Sequence, residues 1–251
     1  MFGAGGRMGT TVCAAVVADP GLELVAAVDP HHEGHEVAGT ALRIAGSADA
    51  LEAAGAAVAV DFTAADAARA NLRWCAAHDV HAVVGTSGLD DADHDELRAA
   101  FTRSNVVVVP NFAIGAVLMM RFAELAAPWF DTAEIIELHH DGKIDAPSGT
   151  ATATAGRMAA ASAQWAPDPT TKTVLDGARG GVGPGGIHIH SVRLRGLVAH
   201  QEVLLGAAGQ TLTLRHDSYD RVSFMPGVVL ACKGIAERPG LTIGLESFLG
   251  L

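Results

Sequence analysis

The sequence lacks several features that would assign it to common protein classes. Its three cysteines, Cys13, Cys75 and Cys232, are far apart, which favours a reducing cytoplasm over a disulfide framework or a zinc site. The longest apolar runs, such as residues 106–109, are only strand-sized, so no membrane span is predicted. No charged segment followed by an apolar stretch opens the chain, so no secretory signal is predicted. We therefore expect a cytoplasmic protein.

Basic and aromatic residues are also scarce. The formal net charge of −11 opposes binding to nucleic acid or to an anionic membrane. Aromatic residues make up 5% of the chain and hydrophobic residues 49%, so the core must consist mainly of Ala, Val and Leu. Such a core suits parallel sheets covered by helices. With 251 residues, the chain is long enough for one large domain or two modest ones.

Strand-like and helix-like segments alternate through the first half of the chain. Short Val-rich runs predict buried strands over residues 22–29, 57–63, 81–86 and 106–109. Alanine-rich segments predict helices over residues 8–18, 64–78 and 90–103. This alternation predicts an α/β fold with a parallel sheet, whose ligands bind beyond the carboxyl ends of the strands.

The pattern changes near residue 113. Helices are predicted over residues 115–129, 151–164 and 227–237, and strands over residues 133–140, 188–195, 198–205 and 211–216. The segment 188–195 alternates with a period of two, as a half-buried antiparallel strand does. The second half is therefore predicted to be an α+β domain with a mixed or antiparallel sheet.

A glycine-rich turn opens the chain and leads into a predicted helix. Gly3, Gly6 and Gly9 form GxxGxxG, a variant of the dinucleotide-binding fingerprint. Asp29 follows the next predicted strand and is placed to hold the ribose hydroxyls. The candidate cofactor contacts here are Gly3, Ala4, Gly5, Gly6, Arg7, Met8 and Asp29. Asp29 favours NADH, but Arg7 and His31 or His32 would tolerate the 2′-phosphate of NADPH, so the cofactor choice stays open.

Two later loops end predicted strands and are expected to line the nicotinamide end of a cofactor. Their candidate residues are Gly85, Thr86 and Ser87, then Val109, Pro110, Asn111 and Phe112. On position alone, a plain turn and a domain junction explain these loops equally well.

The segment from Glu137 to Ala151 carries the most specific chemistry. His139 and Lys143 can each deliver a proton near neutral pH, and His140 can hydrogen-bond a substrate. Ser148, Gly149 and Thr150 open a predicted helix, whose free amides bind carboxylate or phosphate groups. The segment therefore predicts a proton donor beside an anion-binding helix start. No metal site is predicted.

This segment resembles the conserved motif of the dihydrodipicolinate reductases, which act in the diaminopimelate route to lysine. The resemblance rests on Glu137-Leu138-His139-His140, on Lys143 and on Asp145-Ala146-Pro147-Ser148-Gly149-Thr150-Ala151. It extends over nearly the whole chain, including residues 60–63, 83–88, 110–115, 190–194 and 196–203, and agrees with actinobacterial members.

The resemblance implies reduction of 4-hydroxy-tetrahydrodipicolinate by NADH or NADPH with loss of water. It implies an acid/base role for His139, proton donation by Lys143, and substrate contacts from His140, Gly149 and Thr150, with Ser148 nearby. It also implies a Rossmann-type nucleotide domain (1–113), a substrate and oligomerisation domain (114–222), a returning C-terminal segment (223–251) and a homotetramer. Two alternatives remain: a small amino-acid dehydrogenase resembling aspartate dehydrogenase, and a catalytically inactive nucleotide-binding protein.

The chain departs from this family at its start. Members begin with a strand of about six residues before the glycine turn, whereas only Met1 and Phe2 precede Gly3 here. We therefore expect a truncated first strand. Because every catalytic position is intact, a start codon farther upstream is favoured over a damaged product, and the intact mass of the native protein would decide.

Overall fold

A computed structural model describes all 251 residues, which form two compact units. The first unit comprises residues 1–114 and 221–251, and the second comprises residues 115–220. Each unit has its own sheet and its own apolar core. No helix is both long and apolar enough to cross a membrane.

The first unit contains a parallel sheet with helices between its strands. Its elements up to residue 108 are α1 (Arg7–Ala18), α2 (Asp49–Ala53), β1 (Val58–Asp61), α3 (Ala65–Ala77), β2 (His81–Val84), α4 (Asp91–Ala100) and β3 (Val106–Val108). Valines of β2 and β3 are almost completely buried, as expected where helices cover both faces of a parallel sheet. Asp90 caps α4 through a reciprocal capping box with Asp93.

The predicted strand over residues 22–29 is wrong. Only Val28 makes bridges there, to Phe2 and to Ala45. The Met1 ammonium donates to the Ala26 carbonyl at 2.9 Å, but residues 22–25 make no β-bridge. A strand needs a neighbour for its backbone groups, so an apolar run alone does not form one.

The C-terminal segment adds a helix and a strand to the first unit. Helix α7 (Met225–Gly234) begins two residues before the predicted one. A short strand, β9 (Leu241–Ile243), pairs in parallel with β3 and gives the sheet order β1-β2-β3-β9. The sequence pattern does not predict β9.

The second unit has a mixed five-stranded sheet. Its elements are α5 (Ile114–Ala126), β4 (Thr132–His139), α6 (Gly149–Ala161), β5 (Gly181–Val182), β6 (His188–Arg193), β7 (Ala199–Ala207) and β8 (Gln210–Ser218). The order is β5-β6-β4-β7-β8; β4 and β6 are parallel and the other pairs antiparallel. Helices α5 and α6 pack on one face around Ile135 and Val203. The predicted fold class, a Rossmann-type α/β part with a mixed-sheet α+β part, is confirmed.

Candidate active site

Glu137 and His139 lie two residues apart on β4 and therefore point to the same face of the sheet. The Glu137 side chain is completely buried, and that of His139 is mostly buried. His139 Nδ1 lies 2.5 Å from Glu137 Oε2. The pair thus forms a short hydrogen bond at the end of the strand.

Arg193 of β6 binds the same carboxylate from the other side. Its Nη1 donates to Glu137 Oε2 and its Nη2 to Oε1, each at 2.8 Å. The backbone amide of Ser148 donates to Oε1 at 3.2 Å. Burial alone would raise the pKa of Glu137, but hydrogen bonds from Arg193, Ser191 and His139 hold the pKa below its ordinary value. Glu137 is therefore an ionised acceptor.

The environment of His139 favours a neutral imidazole. Burial lowers the pKa of His139, and the Glu137 carboxylate offsets this only in part. Because the ionised carboxylate can only accept, Nδ1 must donate, which leaves Nε2 as the basic nitrogen. This nitrogen can take up a proton and release it again.

Lys143 lies on the loop after β4, close enough to His139 for its positive charge to lower the pKa of the imidazole. Lys143 Nζ donates to both carboxylate oxygens of Asp145, at 2.7 and 2.8 Å. The Asp145 carbonyl in turn accepts from Arg193 Nη2 at 2.6 Å. His140 is exposed, and its carbonyl accepts the Lys143 amide at 3.2 Å.

The predicted helix start follows directly. Ser148 is the N-cap of α6, and its hydroxyl accepts the Ala151 amide at 3.2 Å. Gly149 and Thr150 occupy the first two helical positions, where backbone amides point out of the end of the helix. A Cβ placed on Gly149 would meet no atom within 4 Å. This end of α6 is therefore open to an anion.

The first unit contains the glycine turn. Gly3 has a φ of +73°, and a Cβ on Gly9 would lie 1.9 Å from the Gly3 carbonyl oxygen. These two glycines let the turn fold tightly against the start of α1. Ala4 is buried, whereas Arg7 is exposed and Met8 is intermediate.

The Asp29 carboxylate is buried and holds the loops around the turn. It accepts from the Gly5 amide at 3.1 Å, from the His31 amide at 3.0 Å and from His32 Nδ1 at 2.9 Å. Burial alone would raise the pKa of Asp29, but these bonds keep the pKa below its ordinary value. A carboxylate offers about four acceptor positions, so about one remains for a ligand.

A cleft of about 360 Å³ lies at this end of the first sheet. Gly3, Gly6, Asp29, Ser47 and Thr63 are among its lining residues. The predicted site at the carboxyl ends of these strands therefore coincides with a cavity of the size that small ligands occupy.

The two later loops are held by buried contacts. Asp61 Oδ1 accepts from the Thr86 hydroxyl at 2.6 Å and from the Thr63 hydroxyl at 2.7 Å. Gly85 lies against the Phe62 ring, because a Cβ there would be 2.1 Å from that ring. Ser87 is exposed.

In the other loop, Val109 and Phe112 are buried and Pro110 is exposed. Asn111 Oδ1 accepts the Ala113 amide at 2.9 Å. The Thr86 hydroxyl is bound to Asp61 and the side chains of Val109 and Phe112 are buried. Any ligand contact from these residues must therefore come mainly from backbone groups.

Three residues of this site, Glu137, Arg193 and Asp145, have no role in the sequence-based prediction. The period of two on β4 was a usable signal for Glu137, since it places an acid on the buried face beside His139. Arg193 gave no such signal, because its proximity depends on the pairing of β4 with β6.

Family models match both halves of the chain. The model described as "Dihydrodipicolinate reductase, N-terminus" matches residues 1–112, and that described as "Dihydrodipicolinate reductase, C-terminus" matches residues 115–249. A 4-hydroxy-tetrahydrodipicolinate reductase of Cutibacterium acnes is 53% identical, covering 100% of this chain and 98% of its own length. A protein of the same name from Nocardia farcinica is 51% identical, with the same coverage.

A solved structure gives the same result. The dipicolinate-bound dihydrodipicolinate reductase from Paenisporosarcina sp. TG-14 aligns with a TM-score of 0.86 and 38% identity, covering 98% of this chain and 97% of its own. An amine dehydrogenase from Mycobacterium smegmatis aligns with a TM-score of 0.62 at 16% identity, which shows a shared fold alone. The chain therefore belongs to the dihydrodipicolinate reductase family.

Proposed function

We propose that this protein reduces 4-hydroxy-tetrahydrodipicolinate to tetrahydrodipicolinate, with loss of water, in the diaminopimelate route to lysine. The observation that carries the proposal is the Glu137–His139 pair beside the open start of α6. Family membership supports it, because relatives about 50% identical bear the name of this reductase. The dipicolinate bound to a solved family member is a ring dicarboxylate of the same kind.

His139 and Lys143 are the proposed proton-transfer groups. Hydride addition to the ring leaves an anionic, enamine-like centre that must gain a proton. His139 Nε2 is not engaged by Glu137 and serves as the acid/base. The Lys143 ammonium, held by Asp145, is the second donor.

The two ring carboxylates need hydrogen-bond donors. We assign this role to His140, to the Gly149 amide and to the amide and hydroxyl of Thr150 at the start of α6. The Ser148 hydroxyl caps α6 and thereby fixes the backbone at this end of the helix. Together these groups bind and orient the substrate.

The glycine turn and its cleft fit a nicotinamide cofactor. Gly9 approaches Gly3 closely, which keeps the turn compact. The cleft lined by Gly6 and Asp29 then has room for a pyrophosphate and a ribose. The proposed contacts are those of the glycine turn, Asp29 and the two loops over residues 85–87 and 109–112. When bound, NADH or NADPH supplies the hydride. Asp29 retains acceptor capacity for NADH and Arg7 is exposed for NADPH, so we propose that both are used.

We further propose a cytoplasmic homotetramer formed through the sheet of the second unit. The sheet face opposite α5 and α6 carries the partly exposed Ile136, Leu138, Val192 and Leu204. These apolar side chains lie among charged ones such as Glu134 and Glu202, and a mixed sheet face of this kind is suited to pair with another copy. Light scattering measures the assembly directly, and a monomer would contradict this part of the proposal.

The test is oxidation of NADH and NADPH with enzymatically generated 4-hydroxy-tetrahydrodipicolinate. We expect turnover with the wild type and a fall of about 10²–10⁴-fold in His139→Gln, the usual scale for losing a positioned acid/base. Turnover of oxaloacetate and ammonia instead would indicate an aspartate dehydrogenase-like enzyme. Cofactor binding without any turnover would indicate an inactive nucleotide-binding protein.

A further inference from the structure

The buried Glu137 carboxylate connects three structural elements of the second unit. It receives His139 from its own strand, Arg193 from β6 and the Ser148 amide from the start of α6. With both Arg193 bonds and the Ser191 bond counted, it receives five hydrogen bonds, which fill its roughly four acceptor positions. Glu137 therefore has no acceptor position left for a substrate, and its influence must pass through its partners.

The first of these influences concerns the proton on His139. A neutral imidazole carries its proton on one nitrogen, and the hydrogen bond made by the other nitrogen selects which one. Glu137 binds Nδ1 at 2.5 Å, so the neutral ring is protonated at Nδ1 and presents a basic Nε2. The charged groups facing the ring are Glu137 on β4, Arg193 on β6 and Lys143 on the following loop.

The second influence reaches Lys143. The Arg193 guanidinium that binds Glu137 also donates to the Asp145 carbonyl at 2.6 Å. The Asp145 carboxylate in turn holds Lys143 Nζ through two bonds. Loss of the Glu137 charge would release Arg193 and, with it, the anchor of the Lys143 loop.

We propose that Glu137 is a positioning residue that fixes the Nδ1–H tautomer of His139 and aligns His139, Lys143 and the start of α6 as one unit. This inference deepens the proposed function and rests on it for the catalytic roles of His139 and Lys143. The tautomer itself is independent of any activity.

The first experiment uses the wild type, labelled with ¹⁵N-histidine and studied by solid-state NMR above the unperturbed histidine pKa of about 6.5. The His139 signals are identified by their absence in His139→Gln. We expect a protonated Nδ1 and an unprotonated Nε2. A ring protonated at Nε2 would overturn the proposal, even if every Glu137 variant failed to fold.

The second experiment compares Glu137→Gln with Glu134→Gln. Glu134 is a matched control because it lies on the same strand and binds an arginine and a histidine, Arg179 and His190, away from His139. For Glu137→Gln we expect a changed His139 tautomer ratio and a kcat lower by about 10²–10⁴-fold. The pKa of His139 in the pH–rate profile should also fall, because the carboxylate that raises it is gone.

Glu134→Gln should retain the wild-type kcat and tautomer at equal oligomeric state. Wild-type kcat and tautomer in Glu137→Gln, or equal losses in both variants, would overturn the proposal. If the wild type reduced no substrate, the proposed function would fail, whereas the NMR result would still decide whether Glu137 sets the tautomer.

Discussion

Gly9 makes the closest contact within the glycine turn, so Gly9→Ala is a demanding test of how this turn is packed. The added Cβ would lie 1.9 Å from the Gly3 carbonyl oxygen, 2.7 Å from the Gly3 carbonyl carbon and 2.8 Å from the Ala4 Cα. All three are backbone atoms, so no flexible side chain can yield. The Gly3 oxygen also accepts the Gly6 amide at 3.1 Å, and the Gly3 amide is bound to Val28. The turn must therefore move as a whole.

Two opposing contributions decide the size of the effect. Alanine in a helix is favoured over glycine by up to about 1 kcal/mol, because it loses less backbone entropy on folding. Overpacking against a rigid backbone costs about 1–3 kcal/mol or more. The clash with Gly3 outweighs the propensity, so we expect a net loss of stability of about 1–2 kcal/mol. Denaturant unfolding measures this loss, and a titration with NADH should show weaker binding because the turn is displaced.

Gly156→Ala provides the matched control. Gly156 lies within α6, and a Cβ there would meet nothing within 4 Å. This substitution should therefore stabilise the protein by about 0.5–1 kcal/mol and leave NADH binding unchanged. If Gly9→Ala were as stable as Gly156→Ala and bound NADH normally, the account of the glycine turn would be refuted.

Three further predictions concern other parts of the molecule. Thr150→Val should mainly raise the Michaelis constant for the substrate, since it removes a hydroxyl at the proposed anion site. Steady-state kinetics measure this effect. A change confined to the Michaelis constant for the cofactor would assign the site to the nucleotide. Folding lowers the pKa of Glu137 from its ordinary 4.5. The ionised carboxylate therefore stabilises the fold above pH 4.5, and this stabilisation is lost as the pH falls through the lowered pKa. The free energies of unfolding of the wild type and Glu137→Gln should converge in acid, and a difference that stays constant with pH would contradict this. Burial raises the pKa of both Cys75 and Cys232 to about 12, so a thiol reagent at a pH of about 8 should label neither until denaturant is added; rapid labelling of the native protein would show that they are accessible.

Local patterns were sufficient where an element depends on its own residues. The valine runs located β2 and β3 because strands buried on both faces are continuously apolar. Helix α1 was predicted to within one residue, since a glycine turn precedes it and Pro20 follows it. The Ser148 cap was equally visible, because serine is a preferred N-cap.

Elements that depend on distant partners could not be predicted in this way. Residues 22–29 have the composition of a strand, but only Val28 finds ladder partners. Strand β9 has three residues between Gly240 and Gly244 and exists through its pairing with β3, so it is too short to show a period. The Glu137–Arg193 pair spans 56 residues and depends on strand register.

The position of Glu137 is better explained by its partners than by stability. Its neighbour on the same face, Ile135, packs in the apolar core of the second unit, so an apolar side chain at residue 137 would continue that core. Replacing a buried ion pair by apolar residues is often neutral or stabilising, because desolvation consumes most of the electrostatic gain. Every bond to Glu137 other than that from Ser191 leads to a group of the proposed site: His139, the anchor of the Lys143 loop, or the start of α6. A buried charge whose bonds converge on one site in this way indicates a functional rather than a structural requirement.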